Sequence, residues 1–230
     1  MPDVLDQRTI VVTGGSSGLG AAVVDRITRL GATAVVLDRK PPDTGEFELV
    51  DLADSAATED AVRRVAERQG RIDAVVTCAG VDVPGALGDV PTETWERIVA
   101  INLFGTAAVV RAALPWLERA GGRVVTVAST LGHKAVGDAT AYCASKFGVV
   151  GFTRALTAEL KGRVGVTLLT PGGMHTAFFD ERDEQYKPGP DARLCDPGDI
   201  ADAVVFALTR PPGAEVKELV IAGPTETSWP

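Results

Sequence analysis

Tyr142 and Lys146 lie four residues apart in TAYCASKFGVVGFTRAL (140–156), a stretch of helical spacing, so both side chains leave one side of the helix. A free phenol titrates near about 10, too high for a base at neutral pH, and an ammonium beside it favours the phenolate. Ser129 precedes Tyr142 by 13 residues. A hydroxyl there and the phenol form a pair of donors that would polarise a ketone oxygen for hydride attack. Taken singly, these residues also fit a ring-packed tyrosine, a solvated lysine and a serine closing a strand end. They need a hydride carrier and a scaffold that brings them together.

The carrier's place is marked by Gly14-Gly15-Ser16-Ser17-Gly18-Leu19-Gly20, between the apolar run TIVVT (9–13) and a helical pattern. Glycines there let the backbone turn tightly and approach a pyrophosphate, which the helix N-terminus then receives. No Gly-Lys-Ser/Thr follows, which argues against a nucleoside-triphosphate loop. Asp38 comes 18 residues after Gly20, at the end of the second apolar run. A carboxylate there accepts from ribose hydroxyls and repels a 2′-phosphate, so NAD is preferred. Arg39 and Lys40 would bind that phosphate, so NADP stays possible. An oxidised nicotinamide would add its positive charge to that of Lys146 in lowering the phenol pKa.

The elements that must position these groups are seven short apolar runs: 9–13, 34–38, 47–51, 73–77, 123–128, 166–170 and 218–222. Runs so uniformly apolar imply a parallel sheet covered on both faces. Helical patterns lie between most of them: Leu19, Val23, Ile27 and Leu30 keep to one face, as do Val62, Val65 and Ala66, then Trp95, Ile98 and Asn102. The expected fold is therefore α/β, a doubly wound, Rossmann-like parallel sheet of seven strands with helices on both faces. One link departs from the rhythm. RKPPDTGE between the second and third runs carries two adjacent prolines and no crossover helix, so it is a bare loop or the third strand is short. Asp51-Leu52, Cys78-Ala79-Gly80, Ser129 and Pro171-Gly172 also fall at strand ends, on the carboxyl edge where such sheets bind ligands.

Composition bounds the rest. The 230 residues are 45% hydrophobic and 23% charged, which excludes a disordered chain and predicts one domain over 1–230. A formal charge of −8, with no basic run longer than two residues, makes nucleic acid and anionic membrane poor partners. Cys78, Cys143 and Cys195 form neither a disulfide framework nor a metal pair. No metal is expected, and His133 and His175 are read as loop or surface imidazoles, His133 being the nearer to substrate. The polar start MPDVLDQR has no secretory pattern, so a soluble cytoplasmic protein is expected. Residues 174–198, with Phe178, Phe179 and Tyr186 among prolines and acids, read as a substrate lid whose aromatics face an apolar body or the core. Asp180, Glu181, Asp183 and Glu184 would then face solvent.

Taken together, TGGSSGLG, the C-A-G after strand four, Asn102, Ser129, Tyr142 with Lys146, and Pro171-Gly172 through Thr176 resemble the classical short-chain dehydrogenase/reductase family. The resemblance covers nearly the whole chain. It implies hydride transfer between a nicotinamide cofactor and an alcohol or ketone, with Tyr142 as acid/base and Ser129 positioning the substrate oxygen. By the same matching Lys146 holds the nicotinamide ribose, Asn102 holds a relay water, Thr176 contacts the carboxamide and Asp51 the adenine. A homodimer or homotetramer is implied, built through the helices bearing Asn102 and Tyr142 and the last strand. Two features depart from the family pattern: Thr77-Cys78 stand where Asn-Asn is frequent, and the helix between strands two and three is missing. The other reading consistent with the sequence is a silent NAD(P)-binding regulatory or scaffold protein.

Overall fold

A computed structural model of the chain describes residues 4–229. The strands are β1 (Thr9–Thr13), β2 (Thr33–Asp38), β3 (Glu46–Leu49), β4 (Ala74–Thr77), β5 (Arg123–Val127), β6 (Gly165–Pro171) and β7 (Glu218–Ile221). They form one parallel sheet in the order β3-β2-β1-β4-β5-β6-β7. The order reverses between β1 and β4, which makes the crevice there the natural ligand site of such a sheet.

Six α-helices flank the sheet: α1 (Gly18–Arg29), α2 (Ser55–Gln69), α3 (Thr92–Val99), α4 (Thr106–Ala120), α5 (Thr140–Glu159) and α6 (Pro197–Leu208). Because successive strand residues point to opposite faces, Val11 joins a core with α2, α4 and α5, while Ile10 and Val12 join a second core with α1 and α6. Leu19, Val23 and Ile27, and likewise Val62, Val65 and Ala66, are buried as their spacing requires. Local chemistry sets the helix ends. The Asp54 carboxylate accepts from the Ala57 N–H at 2.9 Å to start α2, Gly70 at φ +72° ends it, and Asp196 with Pro197 opens α6.

The covering of the sheet is incomplete at its edges, against the expectation for all seven runs. The β2–β3 link is a loop of residues 39–45 with no helix, and β3 has only four residues. Seven residues reach at most about 25 Å, enough for the return along so short a strand. The missing helix leaves one face of β3 open, and Leu49 is 66% exposed. At the other edge Val220 of β7 is exposed.

From Thr92 to Ala120 the chain runs helically without a break, α3 and α4 being joined by a π-helical turn over Ala100–Gly105. By length and composition this stretch could cross a membrane, but half of its most apolar window is buried against the protein. It contributes Ile101, Val109, Val110, Ala113 and Leu117 to the larger core. The π turn puts the buried Asn102 against Val81 in the loop after β4.

Candidate active site

The carboxyl ends of the strands open on a cavity of about 1000 Å³. Its adenosine half is built from glycines that no other residue could replace. A Cβ on Gly14, whose φ is +67°, would stand 2.7 Å from the Ala79 Cα, and one on Gly20 would stand 2.1 Å from the Gly14 carbonyl oxygen. Strand, loop and helix therefore pass at backbone distance. Ser17 begins α1 without a side-chain cap, and the first turn holds no acid, so the positive end of the helix faces the cavity uncompensated by protein. A dinucleotide pyrophosphate fits this cradle.

Asp38 closes β2 beside it, its carboxylate accepting from the backbone N–H of Ser16 at 3.1 Å and of Arg39 at 2.6 Å. Ser16 donates its hydroxyl to the Lys40 carbonyl and so braces the turn that holds Asp38. Asp51 lines the cavity and pairs with Arg97 at 2.7 Å. Burial works against its ionisation, but the Arg97 guanidinium and the Ala53 N–H outweigh burial and hold the carboxyl below its ordinary range. Gly18, Leu19, Arg39, Leu52, Cys78, Ala79, Gly80, Pro171, Gly172 and Thr176 also line this cavity.

In the catalytic half, α5 brings Tyr142 and Lys146 to the wall that Ser129 also lines. The Lys146 ammonium donates to the Val127 carbonyl at 3.0 Å and lies 5.6 Å from the centre of the Tyr142 ring. Three segments close around this lysine. A Cβ on Gly80 would stand 3.4 Å from its Nζ, and one on Gly132 would stand 2.8 Å from its carbonyl oxygen. Burial pushes the amine down to about 8, with Cys78 acting the other way. Burial pushes the phenol of Tyr142 up to about 12, against the lowering influence of the facing Ser129 hydroxyl. Lys146 is thus not what tunes the phenol in the protein alone. Desolvation dominates there, and the amine lies over the ring and donates to the strand carbonyl instead of to the hydroxyl.

Asn102 does not line the cavity. Its amide nitrogen donates to the Val81 carbonyl at 2.9 Å and to the Ser145 hydroxyl at 3.0 Å, and its oxygen accepts from the Val81 N–H at 2.9 Å. Both amide hydrogens are engaged within the protein, so the side chain braces the 79–81 loop against α5. His133 also faces elsewhere, toward the Thr170 hydroxyl at 3.1 Å and the Trp229 ring, and His175 is exposed. Cys143 packs beside Tyr142, and burial pushes the Cys78 thiol up to about 12.

The lid segment folds over this half. Phe178 packs on Tyr142 with ring centroids 5.8 Å apart, and the Tyr186 hydroxyl donates to Asp138 at 3.1 Å. The acids Asp180, Glu181, Asp183 and Glu184 face solvent. The sequence reading missed two sets of lining residues. Asp82 and Arg182 pair across the cavity wall, and the tail residues Thr225 to Ser228 close its far side, with Glu226 accepting from the Gly173 N–H at 3.1 Å. Asp82 stands two positions past a strand-end glycine already singled out, and that was a usable signal. Nothing in the spacing marks the tail.

Comparison with known proteins follows this geometry. The family model for short chain dehydrogenases matches residues 8–187. An uncharacterized oxidoreductase of Staphylococcus saprophyticus is 30% identical, over 94% of this chain and 97% of its own length. The ligand-free aldohexose dehydrogenase of Thermoplasma acidophilum superposes with a TM-score of 0.86 at 21% identity, covering 97% of this chain and 95% of that one. An alcohol dehydrogenase of the archaeon Thermococcus sibiricus, in complex with 5-hydroxy-NADP, superposes at 0.82 with 24% identity, covering 93% and 95%. At such identities these two structures speak for the fold alone. The chain belongs to the short-chain dehydrogenase family and is an oxidoreductase of that family.

The buried amine carries a pH signature. Lys146 titrates near 8 in the folded chain and at its ordinary 10.5 when unfolded. Between those values the unfolded chain binds more protons, so this group adds stability as pH rises through 8 toward 10.5, and below 8 the buried charge costs about 3 kcal/mol. Lys146→Met is expected to be more stable than the parent at pH 7 by about 1 to 3 kcal/mol, with the gap narrowing by pH 10. Urea unfolding of both proteins at the two pH values checks this, and an unchanged or widening gap contradicts it.

Proposed function

We propose that the protein transfers a hydride between a nicotinamide dinucleotide and a secondary alcohol or ketone, with Tyr142 as the acid/base. The observation that carries this reading is the junction of two half-sites in one cavity. A glycine cradle at an uncapped helix N-terminus runs into a wall bearing Ser129, Tyr142 and Lys146. When bound, the oxidised nicotinamide supplies the hydride acceptor and a positive charge.

The chain's own residues do the rest. Ser129 and Tyr142 hold the substrate oxygen, and the phenol gives or takes its proton. Lys146, with one acceptor in the protein, offers its remaining N–H groups to a ribose. A phenol near 12 is a reluctant base, so proton transfer depends on positive charge entering the same buried space. Asp38 at the end of β2 favours NAD. Arg39 and Lys40 line the same wall and leave NADP possible, and the Thermococcus sibiricus enzyme was crystallised with an NADP analogue. We further propose a homodimer or homotetramer in the cytoplasm. It is supported by exposed Phe104 in the π turn, Phe147 on α5 and Val220 on β7, and by three unbridged cysteines.

Tyr142→Phe is expected to lower turnover at least about 100-fold, the lower end of the range for general acid–base catalysis, with cofactor affinity kept. Absorbance of reduced nicotinamide over a panel of alcohols and ketones reads it, and a variant as fast as the parent removes the acid/base assignment. Asp38→Ala is expected to narrow the preference for NADH over NADPH in a fluorescence titration, and a parent that binds NADPH more tightly refutes that preference. Light scattering during size exclusion is expected to give two or four copies per particle. A monomer at micromolar concentration rules the assembly out.

A further inference from the structure

Arg182, in the lid, and Asp82, in the loop after β4, form the one ion pair that ties residues 174–198 to the rest of the chain among the described residues. The pair is buried, the Arg182 and Asp82 side chains being 14% and 3% exposed, with Nη2 donating to Oδ2 at 2.8 Å. The Nε–H on the same edge of the guanidinium and the second carboxylate oxygen, Oδ1, are both buried without a partner. They are the two halves of the missing bond of a side-on, two-point clamp. The guanidinium also lies 4.6 Å from the centre of the Phe178 ring and 4.8 Å from that of Phe179, and these two rings meet edge to face at 5.3 Å. Phe178 in turn packs on Tyr142. A chain of contacts thus runs from the sheet edge through one cation to the aromatic wall beside the phenol.

We propose that Arg182 is a positioning residue that sets substrate specificity: held by Asp82, it fixes Phe178 and Phe179 as a wall for substrates carrying a flat apolar group next to the reacting carbon. This rests on the oxidoreductase reading above. A buried ion pair is costly to form and costly to break on one side, and it is worth keeping where it specifies one arrangement. Planar Arg, unlike Lys, serves both the carboxylate fork and the ring faces.

The test compares the parent with Asp82→Asn and Arg182→Lys in two measurements. Amide hydrogen exchange of residues 177–187 with NADH bound is expected to accelerate about tenfold in Asp82→Asn and about threefold in Arg182→Lys. In steady-state kinetics, KM for a phenyl-substituted ketone is expected to rise about tenfold and threefold respectively, while kcat, and KM for a short aliphatic ketone, stay within twofold. Parent-like exchange and KM in both variants overturn the proposal. So does a KM rise of equal size for both ketones, which marks a merely structural pair. Should Asp82→Asn fail to fold, Arg182→Lys decides, since it keeps the buried charges matched. If the parent turns over no alcohol or ketone, the oxidoreductase reading falls by itself, and the exchange rates alone decide whether Arg182 holds the lid.

Discussion

A buried ammonium with a single protein acceptor governs the site. The Val127 carbonyl at the end of β5 receives the Lys146 N–H, and this one bond fastens α5 to the sheet edge where Ser129 begins the next turn. Tyr142, one turn earlier on α5, is thereby set opposite Ser129, while Gly80 lets one loop close over the amine and Gly132 lets another pack on the Lys146 backbone carbonyl. Removing an ammonium from water is expensive, and the protein meets only part of its hydrogen-bonding need. The unmet part faces the cavity, where a polar group could satisfy it.

The same desolvation explains why phenol and amine move in opposite directions. Each is pushed toward its neutral form, the phenol upward and the amine downward. The protein alone holds an uncharged acid beside a weakly held cation, and the balance moves toward phenolate only when further positive charge enters. On the proposed hydride-transfer reading, catalytic readiness is therefore coupled to cofactor occupancy, the nicotinamide carrying that charge.

The sheet was legible in the sequence because the central strands carry their own apolar runs, and residues at or just past the end of a run, such as Gly14, Asp38 and Ser129, inherit its position. The helical spacing of Tyr142 and Lys146 gave their shared direction for the same local reason. Contacts that join distant segments were not legible. Arg182 meets Asp82 across 100 residues, Asn102 spends its amide on Val81, and Ser16 turns to Lys40. None of these partners is fixed by local periodicity. The dominance of burial at Tyr142 depends on packing density, which sequence spacing does not encode.

The bare β2–β3 link has a consequence at the margin of the molecule. The link carries no crossover helix, and β3, as the edge strand, offers one row of unpaired backbone N–H and C=O groups to water, the kind of border on which a foreign strand can be recruited. It is only four residues long and carries Glu46 and Glu48, the latter held by Arg64 and Arg68 of α2. Brevity and fixed like charges make that border a poor template for fibrillar growth, so the shortened connection leaves the protein's colloidal behaviour guarded by two glutamates.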